Sequence, residues 1–487
     1  MFWPPLRYLA ITAGAIVGVS VALMRLFGNK PPAKTLKWQL VGDACKPDFI
    51  WSGHITPGWE GVLDPIKKNF EEGYEIGGHF TVYRKGEKVV DITFGYPDDS
   101  FTTPYAKDTV QLVFSSTKFV CAMAMAMLVD RGLLAIDEPI ATYWPAFAQN
   151  GKESVTVGDL MSHAGGVHGV SERIPLDVTL DSGDTLRSIL EKTEMDPRTW
   201  RQMGNQGYHG ISRGLYANEI CKIVDPKHRS INTFLEEEVL VPMGIHDFRI
   251  GVVAGSDLES RIGEVYAMKW HKMLFGILPR LYLPTRLCSY IYNDVYLREP
   301  EHKFVMSFIN KKDPNSVPLM AFAKIWKDGP RGLSAYSRHT EWRQTHSPST
   351  NGFTRAAVLA RIANVFAHSG VDPETGIRFM KPGTVQMACK KHERLQDAVL
   401  QDHIQYTHMG YTDMLTIVQT PPWCNQPVFD AAKGAFVGWG GAGGSLIHFS
   451  TTHEMAVAYT MNRYSPHVCD WRAPMYAAEA LEISRSV

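Results

Sequence analysis

Ser115-Ser116-Thr117-Lys118 is the only Ser-x-x-Lys tetrapeptide in the chain, and it joins a hydroxyl nucleophile to an amine. Residues three apart share one face of a helix, so Lys118 Nζ can reach Ser115 Oγ. A lysine withdrawn from water has a lowered pKa and can accept the serine proton. In the first turn of a helix, free backbone N–H groups and the positive end of the dipole favour a developing oxyanion. The tetrapeptide alone has low specificity, because a serine cap followed by a surface lysine has the same spelling. The run behind it, FVCAMAMAMLV, is almost wholly apolar, which predicts a buried helix. A lysine at the mouth of a buried helix needs a reason.

Rival chemistries are weaker. Gly438-x-Gly440-x-x-Gly443 spells a dinucleotide fingerprint, but a second β-rich run follows it where a crossover helix is required. Gly210-Ile211-Ser212-Arg213-Gly214 spells a nucleophile elbow, yet the preceding MGNQGYH reads as a loop, not a strand. His453-Glu454 and His392-Glu393 lack the second histidine of a zinc helix. His163 and His168 read as structural histidines, and Met123, Met125 and Met127 as core. No metal or organic cofactor is expected.

The elements that must hold Ser115 follow from the pattern. His79–Tyr83 and Lys88–Phe94 are β-rich runs around the turn Lys85-Gly86. Phe114–Arg131 reads as a helix stopped at Gly132. Leu446–Phe449 and Met455–Thr460 form a second hairpin, and Met475–Ile483 a closing helix with Pro474 in its first turn. Strands at both ends with helices between predict an α/β fold whose sheet is assembled from the two ends of the chain. Residues 258–345 are aromatic-rich and irregular, and read as a lid or surface insertion.

The 487 residues are 45% hydrophobic and 21% charged, ordinary globular usage. Fifty basic residues balance fifty acidic ones, so there is no electrostatic footprint for nucleic acid. Seven scattered cysteines do not make a disulfide framework. No acid precedes Asp43, and Leu9–Met24 carries no charge between Arg7 and Arg25. Residues 1–37 are therefore expected to be a membrane anchor and linker, and 45–487 the catalytic domain. A single-pass N-terminal helix is preferred over a cleaved signal peptide or a mitochondrial presequence. The basic residues after the segment would keep the body cytosol-facing, with a mitochondrial setting as the other reading.

Residues 113–167 resemble the penicillin-recognising serine hydrolases, in the class C β-lactamase-like branch that includes family VIII carboxylesterases and animal β-lactamase-like proteins. The agreement covers Ser-x-x-Lys, Arg131-Gly132-Leu133-Leu134, Trp144-Pro145, Gly151-Lys152, and Leu160-Met161-Ser162-His163 with Gly165-Gly166. Weaker similarity runs over most of 50–465, including Ser347-Pro348-Ser349-Thr350-Asn351-Gly352. The resemblance implies a β-lactamase/transpeptidase-like fold, an antiparallel sheet flanked by helices with an inserted helical subdomain.

It also implies a motif tyrosine facing the nucleophile as general acid/base. Tyr208, in Tyr-His-Gly-Ile-Ser-Arg-Gly, is preferred because Gly204, Gly207 and Gly210 make its surroundings a loop. Tyr216, in Tyr-Ala-Asn, matches the lactamase tripeptide literally but falls in a helical run. The third motif aligns with Trp439-Gly440-Gly441, and the Ala442 N–H would pair with that of Ser115 as oxyanion hole. Trp439 replaces a motif lysine and removes the cation that would hold a β-lactam carboxylate. The expected activity is therefore acyl-enzyme hydrolysis of a small ester, amide or peptide, esterase-like more than β-lactamase-like. The alternative is a weakly active or inactive scaffold that self-assembles. A homo-oligomer is compatible with either.

Overall fold

The computed structural model describes residues 47–179, 184–267, 316–322, 324–330, 335–418, 424–465 and 470–487. Phe49–Val487 forms one compact unit. Its centre is an antiparallel sheet of six strands: β1 (Trp51–Ile55), β2 (Gly77–Arg84), β3 (Glu87–Gly95), β4 (Val437–Gly440), β5 (Leu446–Ser450) and β6 (Met455–Met461). They lie in the order β1-β3-β2-β6-β5-β4. The two halves of the chain meet where β2 pairs with β6, Val82 opposite Val457 and Phe80 opposite Tyr459. Lys85 (φ 50°) and Gly86 (φ 85°) turn the first hairpin in the left-handed region that two-residue hairpins demand.

Both faces of the sheet are covered. Phe449, Ala456 and Tyr83 share one face by register, and Phe366 of α3 (Ala356–Ala367) packs on Phe449 at 5.1 Å. Phe80 and Tyr459 face the other way onto Tyr476 of α4 (Arg472–Ser486). Beyond α3 lies α1 (Thr117–Asp130), buried from Thr117 to Leu128. Phe119 of α1 touches Phe366 at 5.1 Å. Next to it runs α2 (Ser212–Val224), also buried almost throughout. A small sheet of Gln111–Leu112, Gly352–Thr354 and Phe248–Ile250 delivers the chain to the mouth of α1.

One expectation is corrected. Among the described residues no helix is long and apolar enough to cross a membrane. The apolar helix behind Ser115, α1, has 14 residues, about 21 Å against a hydrocarbon core of about 30 Å. It is spent inside the core. The single-pass anchor, the membrane partner and the cytosol-facing or mitochondrial membrane placement are therefore withdrawn. Leu9–Met24 itself lies outside the described residues, as do 268–315 of the irregular insertion.

Candidate active site

Ser115 sits in a tight turn, Phe114–Ser116, that runs directly into α1. Phe114 before it has φ 45°, a left-handed conformation that costs an L-residue roughly 1–2 kcal/mol. Its ring is held edge-on by Tyr464 at 5.9 Å and Tyr336 at 6.4 Å. The turn is fastened from both sides. Val113 N–H donates to Gly352 O at 2.9 Å, and Gly352 N–H donates to Thr117 Oγ1 at 2.8 Å. Ser445 Oγ donates to Val113 O at 2.7 Å and meets Ser116 Oγ at 3.0 Å.

The structure brings three expected residues together. Tyr208 Oη donates to Ser115 Oγ at 2.7 Å, and Lys118 Nζ lies 3.3 Å from the same oxygen. Lys118 Nζ also donates to Gly210 O at 2.6 Å and Ser349 O at 2.9 Å. Burial pushes the Lys118 pKa well below the usual lysine range, and the Arg213 charge adds to the effect. Burial pushes the Tyr208 phenol up, so it rests protonated. The pair is thus poised as amine base and phenol acid around one hydroxyl.

The other tyrosine stands elsewhere. Tyr216 lies inside α2, packs on Phe147 at 5.7 Å, and donates to Leu190 O at 3.0 Å. Ser212 opens α2 and donates to Val167 O at 2.6 Å. Neither contacts Ser115. Trp439 lies on β4 with its ring 5.4 Å from Tyr208. Gly441 lies so close to the Val113 carbonyl that a Cβ would overlap it. The Ala442 N–H donates to no acceptor among the described residues.

Sequence reasoning does not reach four further residues here. Asp397, fully buried, accepts the N–H of Tyr208, Val399 and Leu400 on Oδ1 and the Tyr406 hydroxyl on Oδ2. It clamps the tyrosine loop, and burial raises its pKa. Arg213, also buried, donates to Lys118 O at 2.9 Å and Met161 O at 3.1 Å. Tyr406 stacks on Trp439 at 5.8 Å. Phe322, from the irregular insertion, lies 5.9 Å from Tyr208 and fills the space beside Gly210. The glycine at 210 is the signal for Phe322; the others leave none, because their partners are distant in sequence. His163 accepts the His209 N–H on Nδ1 at 3.0 Å, and His168 meets Thr199 Oγ1 at 2.8 Å. Both histidines are thereby engaged in holding loops.

An antiparallel sheet joined from both ends of the chain and flanked by helices, with a serine at the mouth of a buried helix, is the β-lactamase/transpeptidase-like fold of serine hydrolases. The beta-lactamase family profile matches residues 66–482, and the chain belongs to that family. An esterase/beta-lactamase, LipL of Mycobacterium tuberculosis, is 26% identical over 345 residues, 69% of each chain. Esterase EstB of Burkholderia gladioli is 32% identical over 96 residues, 19% of this chain and 24% of its own. Among solved structures, a family VIII carboxylesterase superposes with a TM-score of 0.68 at 22% identity, over 89% of this chain and all of its own. A penicillin-binding protein homologue from Caulobacter crescentus gives 0.67 at 28% identity, over the same shares. The protein is a serine hydrolase.

Proposed function

We propose that the protein hydrolyses a neutral ester or amide through an acyl-enzyme on Ser115. Ser115 Oγ attacks the carbonyl carbon while its proton passes to Lys118 Nζ. The Ser115 and Ala442 N–H groups receive the oxyanion. As the tetrahedral intermediate collapses, the bond to the leaving group breaks. The departing oxygen or nitrogen takes the Tyr208 proton, and Tyr208 regains one from the Lys118 ammonium. Water then repeats the sequence on the acyl-enzyme, returning Ser115 and the free acid.

The observation that carries this reading is one oxygen, Ser115 Oγ, between an amine at 3.3 Å and a phenol at 2.7 Å. The neutral substrate follows from the charges. The Arg213 guanidinium is the cation that bears on Tyr208, and it and the neutral Lys118 amine are both tied to backbone carbonyls. Neither is offered to a substrate carboxylate. The esterases among the relatives point the same way.

The test is labelling with a fluorophosphonate probe, alongside turnover of p-nitrophenyl butyrate and a chromogenic cephalosporin. Wild type should be labelled and should favour the ester, and Ser115→Ala should do neither. Equal labelling of Ser115→Ala would overturn the assignment.

A further inference from the structure

The loop that would carry one of the two oxyanion donors is built of residues that do not hold a shape by themselves. Residues 441–445 join β4 to β5, and Gly441, Gly443 and Gly444 are three of the five. Glycine loses more conformational freedom on ordering than any other residue. Gly443 (φ 85°) and Gly444 (φ 124°) both lie in the left-handed region. Two backbone bonds close the turn, Gly441 N–H to Ser445 O at 2.7 Å and Gly444 N–H to Gly441 O at 3.0 Å. Ala442 is the one residue of the loop that is not buried. Its N–H stabilises an oxyanion only when held about 2.7–3.1 Å from the place where that oxygen forms.

One side chain outside the loop grips it. Arg472, 2% exposed at the start of α4, donates from Nη2 to Gly443 O at 2.6 Å and to Arg463 O at 3.0 Å. A Cβ on Gly444 would strike the same Nη2, so loop and guanidinium are in direct contact. Gly443 follows Ala442 directly. Arg463 precedes Tyr464, whose ring rests edge-on against Phe114, the residue before Ser115. The two carbonyls therefore belong to the segments that support the two donors, Ala442 N–H and Ser115 N–H.

The rest of the guanidinium is anchored away from the site. Its Nε donates to Asp470 Oδ2 at 3.0 Å, and Nη1 donates to Glu75 Oε2 at 2.7 Å and to Tyr74 O at 2.9 Å. Glu75 Oε1 in turn accepts the Tyr459 and Tyr476 hydroxyls. A planar fork with five N–H groups can face the carboxyl groups on one side and the loop on the other, which an ammonium cannot do. A buried ion pair is weak evidence for stability on its own. The bond to Gly443 is where this cluster meets the reaction.

We infer that Arg472 is a positioning residue for the oxyanion hole: by holding Gly443 O and Arg463 O it keeps the Ala442 N–H aimed at the tetrahedral intermediate. Arg472 touches no substrate atom and exchanges no proton. The inference rests on the acyl-enzyme reading, with Ala442 as one oxyanion donor.

The experiment measures kcat and KM on p-nitrophenyl butyrate, and inhibition by propylboronic acid, whose boron bonds to the serine oxygen and becomes tetrahedral like the intermediate. It uses the full chain as wild type, Arg472→Lys and Tyr476→Phe. Lysine keeps a cation beside Asp470 and Glu75 but lacks the planar fork. Tyr476→Phe weakens the far side of the same cluster and leaves Gly443 O untouched. Arg472→Lys should lower kcat about 10- to 100-fold with KM little changed, and weaken the boronic acid by a similar factor. Tyr476→Phe should lower the melting temperature and leave kcat and the boronic acid near wild type. An unmoved boronic acid affinity in Arg472→Lys, or an equal loss in Tyr476→Phe, would overturn the inference. Should Arg472→Lys fail to fold, Arg472→Met combined with Asp470→Asn and Glu75→Gln removes the fork without stranding a buried charge, and is held to the same outcomes. Fluorophosphonate labelling of wild type separates the two levels. An unlabelled wild type sinks the acyl-enzyme reading, whereas a labelled one with an unmoved boronic acid affinity in the Arg472 variant sinks only the role of Arg472.

Discussion

Lys118 is held so that its chemistry is decided by counting hydrogens. A neutral amine has two N–H groups and one lone pair. Gly210 O and Ser349 O take the two hydrogens, which leaves the lone pair for Ser115 Oγ. Burial favours that neutral form, since the pKa is pushed well below its ordinary value. The sign of the pH dependence follows. As pH falls through the depressed Lys118 pKa, the amine gains a proton, loses its lone pair and stops acting as a base. The kcat/KM for an ester should therefore fall on the acid side and plateau above that pKa. Lys118→Met should lower kcat about 10²- to 10⁴-fold and remove the acid limb from what activity remains. An acid limb that survives in Lys118→Met belongs to another group. The tyrosines divide in the same way. Tyr208→Phe should cost activity. Tyr216→Phe should keep it and instead lose about 1 kcal/mol of stability, because the buried Leu190 carbonyl loses the shorter of its two donors and keeps only the Thr193 N–H at 3.3 Å. Steady-state kinetics and urea unfolding of the two variants separate the outcomes.

The strand that carries Trp439 and the turn that carries Ser115 are locked together by close backbone approach. At Gly441 a Cβ would strike both the Val113 carbonyl and Ser445 Oγ. Gly441→Ala should therefore displace the nucleophile turn, lowering kcat more than tenfold, a 1 Å misplacement being sufficient for such a loss. Gly383→Ala is the control, since nothing lies within 4 Å of a Cβ there. It should leave both kcat and the melting temperature near wild type, and equal effects at the two glycines would refute the locking. Elements of this kind were largely legible in the sequence. β-rich runs announced both hairpins, Lys85-Gly86 announced the turn, and the apolar run after Lys118 announced α1. Their pairing into one sheet follows because a lone hairpin cannot bury its faces. What was not legible depends on partners far along the chain. Asp397 meets Tyr208 across 189 residues, and Arg213 meets Lys118 across 95. A single aspartate or arginine in a loop has no periodicity, and its burial becomes visible only with its partners. The N-terminal apolar run misled for a related reason: composition and length describe a segment's solubility without fixing its surroundings.

Zero formal net charge says little about how the molecule responds to pH, because the groups that matter are buried and shifted in opposite directions. His168, His209 and His448 are held by burial at about 4, 3 and 3. Each is neutral when folded and gains a proton on unfolding once pH falls below about 6.5. Stability is therefore lost as pH falls through that value toward the folded pKa. Glu75, Asp397 and Asp413 work the other way, since burial raises all three, Asp413 to about 6. Below about 6 the folded Asp413 holds a proton that the unfolded chain does not, so acidification toward 3.8 stabilises the fold. His448 and Asp413 share one turn: His448 Nε2 accepts the Met414 N–H, and Asp413 Oδ1 accepts the Leu415 N–H. Between pH 7.5 and pH 5, His448 should withdraw about 2 kcal/mol and Asp413 return about 1.4 kcal/mol, at 1.36 kcal/mol per pKa unit. Relative to wild type, His448→Gln should lose less stability over that interval and Asp413→Asn should lose more. Urea unfolding at the two pH values measures both differences. Variants that shift in the same direction would show that the turn answers to charge as a whole and not to these two groups separately.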